Sequence, residues 1–417
     1  MTAIRNPHLS KDQIKILLLE GISDTAANAF TAAGFTSVTR LKKALDSAEL
    51  ADALKDVRML GIRSRTQITA DVLQATERTA AIGCFSVGTN QVDLEAACRR
   101  GVPVFNAPFS NTRSVAELTI AEIVMLYRSV FPKSISAHHG GWDKSAIGSH
   151  EVRGKTLGIV GYGNIGSQLA VLAEAFGMRV VYYDHIDKLH YGNVQPAATL
   201  DELLAISDVV TLHVPETPAT HGMITAREIA LMKPGSFFIN NARGTVVDLD
   251  ALAEALKEKR LAGAAIDVFP VEPSSNNERF VSPLQGLDNV ILTPHVGGST
   301  EEAQERIGLE VAKKLIEYSD VGSTVGAVNF PQVQLPPRPA GTRFLQIHKN
   351  APGEMRRLNE VFARHKVNIA AQYLQTNSEI GYVVLDADGA VPDAPEIVKE
   401  LRDMDGTIRA RVLWQRG

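Results

Sequence analysis

The chain has 417 residues, 45% of them hydrophobic and 22% charged, an ordinary composition for a folded protein and too long for one core, so two or three domains are expected. Lys and Arg total 43 against 47 Asp and Glu, a formal charge of −4, which supplies no basic field for nucleic acid or a membrane surface and points to a small-molecule partner. The two cysteines, Cys84 and Cys98, lack metal-ligand spacing, and the apolar run "IKILLL" is too short for a signal or a span; a cytoplasmic protein with no disulfide and no metal is expected.

In the first third, short apolar runs, "IKILLLE", "VRMLGIRS", "TAAIGCF" and "VPVFN", alternate with helical stretches such as "DTAANAFTAAG" and "NQVDLEAACRRG". That alternation predicts a parallel sheet with helical crossovers. The stretch around "RLKKALD" also reads as helical. After the strongly helical "NTRSVAELTIAEIVMLYRSV", a helix suited to packing against its equivalent in a second copy, a new series begins: "KTLGIVG", "MRVVYYD", "DVVTLHVP", "SFFINNA", "AGAAIDVF" and "NVILTPH". Two α/β units are written in tandem. The helix "TEEAQERIGLEVAKKLIEYS" then leads into a linker punctuated by Pro331, Pro336, Pro337 and Pro339. Beyond it, strand, helix, two strands, helix and strand from "TRFLQIHKN" to "TIRARVLW" follow the βαββαβ, ferredoxin-like order.

A G-x-G-x-x-G run is weak evidence alone, but Gly161, Gly163 and Gly166 follow the strand "LGIV" and, with Asn164 and Ile165, open a helix whose amides can face a pyrophosphate. The next strand closes on Asp184, at the spacing expected for a carboxylate that accepts ribose hydroxyls and repels a 2′-phosphate. NAD is therefore favoured over NADP, although Asp184 would also suit a solvated strand end. Other polar residues stand just after predicted strands: His213, Val214 and Pro215, Asn241, Ala242 and Arg243, then Asp267, Glu272 and His295. None is diagnostic alone. Together they have a logic, since hydride removal from a secondary alcohol needs a base for the hydroxyl proton, and a carboxylate can steady a protonated histidine. Arg243 offers a planar fork for a substrate carboxylate.

The stretches "GYGNIG", "NNARGTVVD", "AGAAIDVFPVEP" and "LTPHVGGST", with "GIRSRT", "SVGTNQVD" and "VPVFNAPFSNTRSVAE" before them, resemble the signatures of the D-isomer-specific 2-hydroxyacid dehydrogenases, in the short branch that ends in an ACT domain. The likeness spans nearly the whole chain. It implies a flavodoxin-like substrate-binding domain (1–108 and 299–335) interrupted by an inserted Rossmann NAD-binding domain (109–298), and a ferredoxin-like ACT domain (336–417), with the active cleft between the first two. It implies Arg243, Glu272 and His295 as catalytic residues: His295 the acid/base, Glu272 its carboxylate partner, Arg243 the group that binds substrate and polarises its carbonyl. Asp267 would hold the nicotinamide carboxamide, and Gly297 and Gly298 would line the cofactor. Ser86, Val87 and Gly88 would bind the substrate carboxylate and Asn111 would line the pocket. Arg63, Ser64 and Arg65, with Lys42 and Lys144, would meet a substrate phosphate. Asn164 departs from the pattern, since enteric members carry histidine there.

The activity implied is NAD-dependent oxidation of 3-phospho-D-glycerate to 3-phosphooxypyruvate, the first step of L-serine synthesis, with reduction of 2-oxoglutarate as a side activity. His348, Asn350 and Asn368 match the serine-binding positions of regulated members, which implies L-serine as a feedback ligand and a homo-oligomer, a tetramer. Turn chemistry is the alternative for the two asparagines, but all three residues in an otherwise matching domain favour the serine reading. Another 2-hydroxyacid substrate, or a cofactor-sensing interaction protein of the corepressor type, are the competing readings.

Overall fold

The computed structural model describes residues 10–190, 192–273, 277–336 and 340–416. The chain divides into two compact units, Met1–Ser110 with Gln304–Gly417, and Asn111–Ala303. In the first, strands β1 (Ile16–Leu18), β2 (Val38–Arg40), β3 (Met59–Ile62), β4 (Ala81–Cys84) and β5 (Val104–Phe105) form a parallel sheet of order β2-β1-β3-β4-β5. This is the flavodoxin-like order. Strands β1, β3, β4 and β5 are buried along their length, which suits the short unbroken apolar runs that encode them. Edge strand β2 carries no such run and escapes a reading by hydrophobicity. The helix expected around "RLKKALD" starts later, because the Asp46 carboxylate caps the amides of Ala48 and Glu49 and sets the helix at Ser47–Ala53. Lys42 therefore lies in a bend after β2.

The inserted unit opens with helix α1 (Thr112–Tyr127), followed by β6 (Thr156–Val160), helix α2 (Asn164–Ala175), β7 (Arg179–Tyr183), β8 (Gln195–Pro196), β9 (Val209–Leu212), β10 (Phe237–Asn240), β11 (Gly263–Ile266) and β12 (Val290–Leu292). All pair in parallel in the order β12-β11-β10-β9-β6-β7-β8. The direction of winding reverses between β6 and β9, the switch point at which doubly wound sheets bind ligands. Helix α1 buries Ala116, Ile120, Ile123, Leu126 and Tyr127 within this unit's own core. Exposed apolar side chains come instead just after it, with Phe131, Ile135, Trp142 and Ile147 on the Val130–His138 helix and the loop beyond.

The chain returns through α3 (Glu301–Val321). Residues 331–336 form no helix or strand, yet Val333 and Leu335 are buried and Thr324 bonds to Val333 and to the Pro331 carbonyl. Pro337 and Pro339 lie outside the described residues. Strand β13 (Gly341–Lys349), α4 (Glu354–Arg364), β14 (Ile369–Thr376), β15 (Ile380–Ala387), α5 (Ala394–Asp403) and β16 (Thr407–Arg416) then build an antiparallel sheet of order β14-β15-β13-β16. Alternation along β13 sends Phe344 to the core under α4 and α5, and Leu345 and Ile347 to the core shared with α3 and the first sheet. Cys84 and Cys98 are free, buried thiols, and burial pushes Cys84 up to about 12.

Candidate active site

The glycine turn is shaped by close approach. Gly161 has φ +94°, and a Cβ there would lie 2.7 Å from the His213 carbonyl oxygen; one on Gly166 would lie 2.3 Å from the Gly161 carbonyl oxygen. Only glycine lets the first turn of α2 lie this close to the ends of β6 and β9. Gly163 faces open space at the N-cap of α2, without a side-chain cap, so the first amides of the helix are free to meet an anion. Asn164 and Ile165 follow on the accessible side of the turn.

At the end of β7, Asp184 accepts from the Tyr162 amide at 2.9 Å and lies 3.0 Å from the exposed His185 ring. One carboxylate oxygen is thus pinned beside the glycine turn. The ring of His213 meets Thr211 Oγ1 at 3.2 Å through Nε2, and burial pushes it down to about 3, so it is neutral. Val214 and Pro215 continue the chain past Gly161, Pro215 offering its carbonyl to Thr220. These features fit a dinucleotide: a glycine cradle, an uncapped helix end and a carboxylate at the ribose distance.

His295 and Glu272, expected from the sequence to pair, are in contact. His295 Nδ1 lies 2.8 and 3.1 Å from the two oxygens of Glu272, which leaves Nε2 for a substrate. That bond raises the His295 pKa against the opposing effect of burial. Burial works against Glu272, yet its bonds to His295 and to the Phe269 amide hold it below the ordinary value. His295 itself sits at φ +55°, in the left-handed region. Asp267 holds it there. This buried carboxylate accepts from Thr293 Oγ1 (2.6 Å) and the amides of Val296 and Gly297 (both 2.8 Å), and its carbonyl accepts from the His295 amide. Asp267 is therefore a positioning residue for the turn, with little acceptor capacity left over.

Arg243 follows β10 in a turn shaped by Asn240, whose amide bonds the Arg243 carbonyl and the Ala242 amide. Burial lowers the Arg243 pKa while Glu216 and Glu272 oppose it, so the guanidinium keeps its charge. Its neighbour Gly244 packs so tightly on the Phe269 backbone that a Cβ would overlap it. That contact binds the Arg243 turn to the loop carrying Glu272. Asn241 points the other way, donating to Thr119 Oγ1 and Glu122 Oε2 in the core. Gly298 lies against Asn111, whose Oδ1 is buried without a partner among the described residues.

In the other unit, the loops after β3 and β4 share one framework. Glu20, buried at the end of β1, accepts the amides of Arg63, Arg65 and Thr66, and its carboxylate lies 3.7 Å from the Arg65 guanidinium. Gln91 bonds both the Arg63 carbonyl and Ser86 Oγ, and Asn106 holds the Val87 carbonyl. Ser86 Oγ donates to the Gly88 carbonyl. Arg63, Ser64, Arg65 and Ser86 to Gly88 are thereby brought together. Lys42 and Lys144 are exposed and join no hydrogen bond or ion pair among the described residues. Sequence reasoning missed Glu20, Gln91, Glu122 and Gly244. Glu20 follows a strand like the residues it did weigh and was open to the same rule.

On the C-terminal sheet, His348 is buried, its Nδ1 on the Lys349 carbonyl and its ring against Gly381. Asn350 Nδ2 bonds the Asn377 carbonyl and Asn368 Nδ2 bonds Asp388. Strand register separates them: His348 pairs with Gly381 at one end of β15, whereas Ile369, next to Asn368, pairs with Ala387 at the other. Six residues of strand make that about 20 Å.

The NAD-binding domain of the D-isomer specific 2-hydroxyacid dehydrogenases matches residues 120–297, and an AHAS small subunit-like ACT domain matches 344–409. D-3-phosphoglycerate dehydrogenase of Haemophilus influenzae is 56% identical over 97% of the chain and 98% of its own length, and that of Escherichia coli 56% over 97% and 99%. Among solved structures, D-lactate dehydrogenase of Aquifex aeolicus with NAD and lactic acid superposes with a TM-score of 0.67 at 29% identity, covering 76% of this chain and all of that one. With the glycine cradle, the Asp184 carboxylate and the His295–Glu272 pair in place, the chain belongs to the D-3-phosphoglycerate dehydrogenase family of NAD-dependent D-isomer-specific 2-hydroxyacid dehydrogenases.

Proposed function

We propose that the protein oxidises 3-phospho-D-glycerate to 3-phosphooxypyruvate with NAD, at the entry to L-serine synthesis, and that L-serine inhibits it. The observation that carries the catalytic half is the His295–Glu272 pair beside the Arg243 turn. Bound NAD supplies the hydride acceptor. Glu272 fixes the Nδ1–H tautomer of His295, so Nε2 takes the hydroxyl proton as the C–H bond breaks, and the resulting imidazolium is stabilised by the carboxylate. Arg243 draws electron density from the forming carbonyl and holds the neighbouring carboxylate. The amides of Ser86, Val87 and Gly88 serve that same carboxylate, Asn111 lines the pocket, and Arg63 and Arg65, with Ser64 and the lysines Lys42 and Lys144, meet the phosphate. Asp184 selects NAD, and Asp267 keeps one lone pair for the carboxamide. Reduction of 2-oxoglutarate runs the same chemistry backward on an unphosphorylated acid.

The domain reading that goes with this is 1–108 with 299–335 for substrate, 109–298 for NAD and 336–417 for regulation. His348 and Asn350 lie too far from Asn368 on one sheet to hold one serine. A site for L-serine is complete only where two copies place opposite ends of their sheets side by side, which supports a homo-oligomer; a tetramer needs a second interface, for which the apolar 130–147 surface is suited. A cytoplasmic location accords with the absence, among the described residues, of any helix long and apolar enough to cross a membrane. The test is NADH formation from 3-phospho-D-glycerate and NAD at mildly alkaline pH, with and without L-serine. Turnover suppressed by serine is expected. No turnover with this substrate but turnover with another 2-hydroxyacid would overturn the substrate, and turnover indifferent to millimolar serine would overturn the regulation.

A further inference from the structure

At the amino ends of β3, β4 and β5, opposite the loops that carry Arg63, Arg65 and Ser86, lies a pocket of about 440 Å³. Arg58 and Ala80 stand just before β3 and β4, and Arg99 and Arg100 end the helix before β5. The C-terminal sheet closes it with Arg409 and Arg411, two residues apart on one face of β16, and α5 adds Arg402. Tyr318 of α3 forms a wall, with the Arg411 guanidinium 5.0 Å from its ring centroid. Strands normally turn apolar residues inward on a covered face; "TIRARVLW" turns two arginines inward.

Arg99 is neutralised by Glu95 and lies near Glu379. Among the described residues, Arg58, Arg100, Arg402, Arg409 and Arg411 have no carboxylate within ion-pair distance, and the one acidic lining residue, Glu77, pairs with none of them. Their bonds go to backbone carbonyls: Arg409 to Arg100 and Thr79, Arg402 to Ala410, Arg58 to Arg78. Arg100 Nε and Arg411 Nη2 are buried with no partner at all among the described residues. Burial, with Arg411, Arg100 and Arg58 nearby, pushes Arg409 down to about 10, and burial also lowers Arg58. Partly buried guanidinium groups gathered without counter-charge repel one another, and the two unmet buried donors add to that cost. The same fork geometry is what recognises oxyanions with two or more charges.

We infer that this pocket binds a small multivalent oxyanion, a phosphate-bearing metabolite, at a site separate from the substrate loops. The bound anion neutralises the arginines of both sheets at once and so braces the amino end of the first sheet to β16. A free phosphate group and a polycarboxylate share the recognition chemistry; the volume and the number of free forks favour phosphate carried on an organic body.

The test is thermal unfolding and titration calorimetry on the full chain with inorganic phosphate against chloride at matched ionic strength, with citrate as the polycarboxylate arm. Phosphate is expected to raise the melting temperature and to bind at least tenfold more weakly to Arg411→Gln and Arg100→Gln, while Arg63→Gln, at the other end of the sheet, keeps the response. In chloride alone, Arg411→Gln is expected to melt at or above the parent temperature, because it removes an uncompensated charge. A phosphate response lost in Arg63→Gln but kept in Arg411→Gln and Arg100→Gln would overturn the site, as would no response in the parent. A citrate response exceeding that of phosphate would replace phosphate by polycarboxylate as the ligand class. These readouts do not depend on turnover, so they stand apart from the proposed substrate.

Discussion

At the scale of single residues, the site is a set of carboxylates with different tasks. Glu272 raises the pKa of His295, so the protonated histidine persists to higher pH than an isolated ring. Oxidation requires the neutral form, and kcat/KM is therefore expected to climb with pH through a midpoint above the ordinary histidine value of about 6.5. In Glu272→Gln that midpoint should move down, and His295→Ala should lower kcat by about 10² to 10⁴ while NAD still binds, as read by a pH–rate profile and a fluorescence titration. Glu122 behaves oppositely. Burial pushes it up to about 8 despite its bond from Asn241. A group whose folded pKa exceeds its unfolded one takes stability away as pH rises between the two values, here from about 4.5 to about 8, at up to about 1.4 kcal/mol per pH unit. Glu122→Gln, which keeps the acceptor for Asn241, should flatten that slope in denaturant unfolding followed from pH 5 to 8. The residues proposed for the chemistry could be picked out of the sequence because they stand at strand ends in a recognisable order. Glu122 and Gly244 were not, since an acid inside a helix and a glycine after an arginine acquire meaning only from what the fold packs against them.

At the scale of elements, patterning carried most of the fold. Buried strands of three to five residues and the βαββαβ series were written in apolar runs and punctuating glycines, whereas β2 and β8, short edge strands with exposed side chains, left no such trace. The C-terminal sheet is anchored by something no periodicity shows. Arg343 and Asp386, both fully buried on neighbouring strands, form a paired contact through Nε (2.6 Å) and Nη2 (2.8 Å), and Arg343 also bonds the carbonyls of Val321 and Pro336. Tyr382 adds a bond to the Gly322 carbonyl at 2.6 Å. The chain between α3 and β13, which reads as a linker, is thus fastened at both ends. Arg343→Met takes two charge-assisted bonds from the buried Asp386 carboxylate and should cost about 3–5 kcal/mol in urea unfolding, while Arg343→Met with Asp386→Leu should recover part of it. Equal loss in single and double variants would mean that the carbonyl contacts, and not the ion pair, hold the junction.

At the scale of the whole molecule, the apolar side chains left uncovered between residues 130 and 147 have a defined expectation. Replacing Trp142 and Ile147 with glutamate should halve the assembled mass in light scattering if that surface joins copies, without disturbing NAD binding. The division of the chain into an interrupted unit and an inserted one also orders events in time. The first sheet is synthesised first, but the helix that covers β4, where Val311 and Leu315 lie against Gly83, comes from α3. All of Asn111–Ala303 is made in between, and that unit is complete in itself. At ordinary rates of translation the leading sheet waits on the order of tens of seconds with an apolar face uncovered while the later-made unit folds ahead of it. The sheet made before the inserted unit is therefore completed only after that unit, and until then its uncovered apolar face is open to wrong partners.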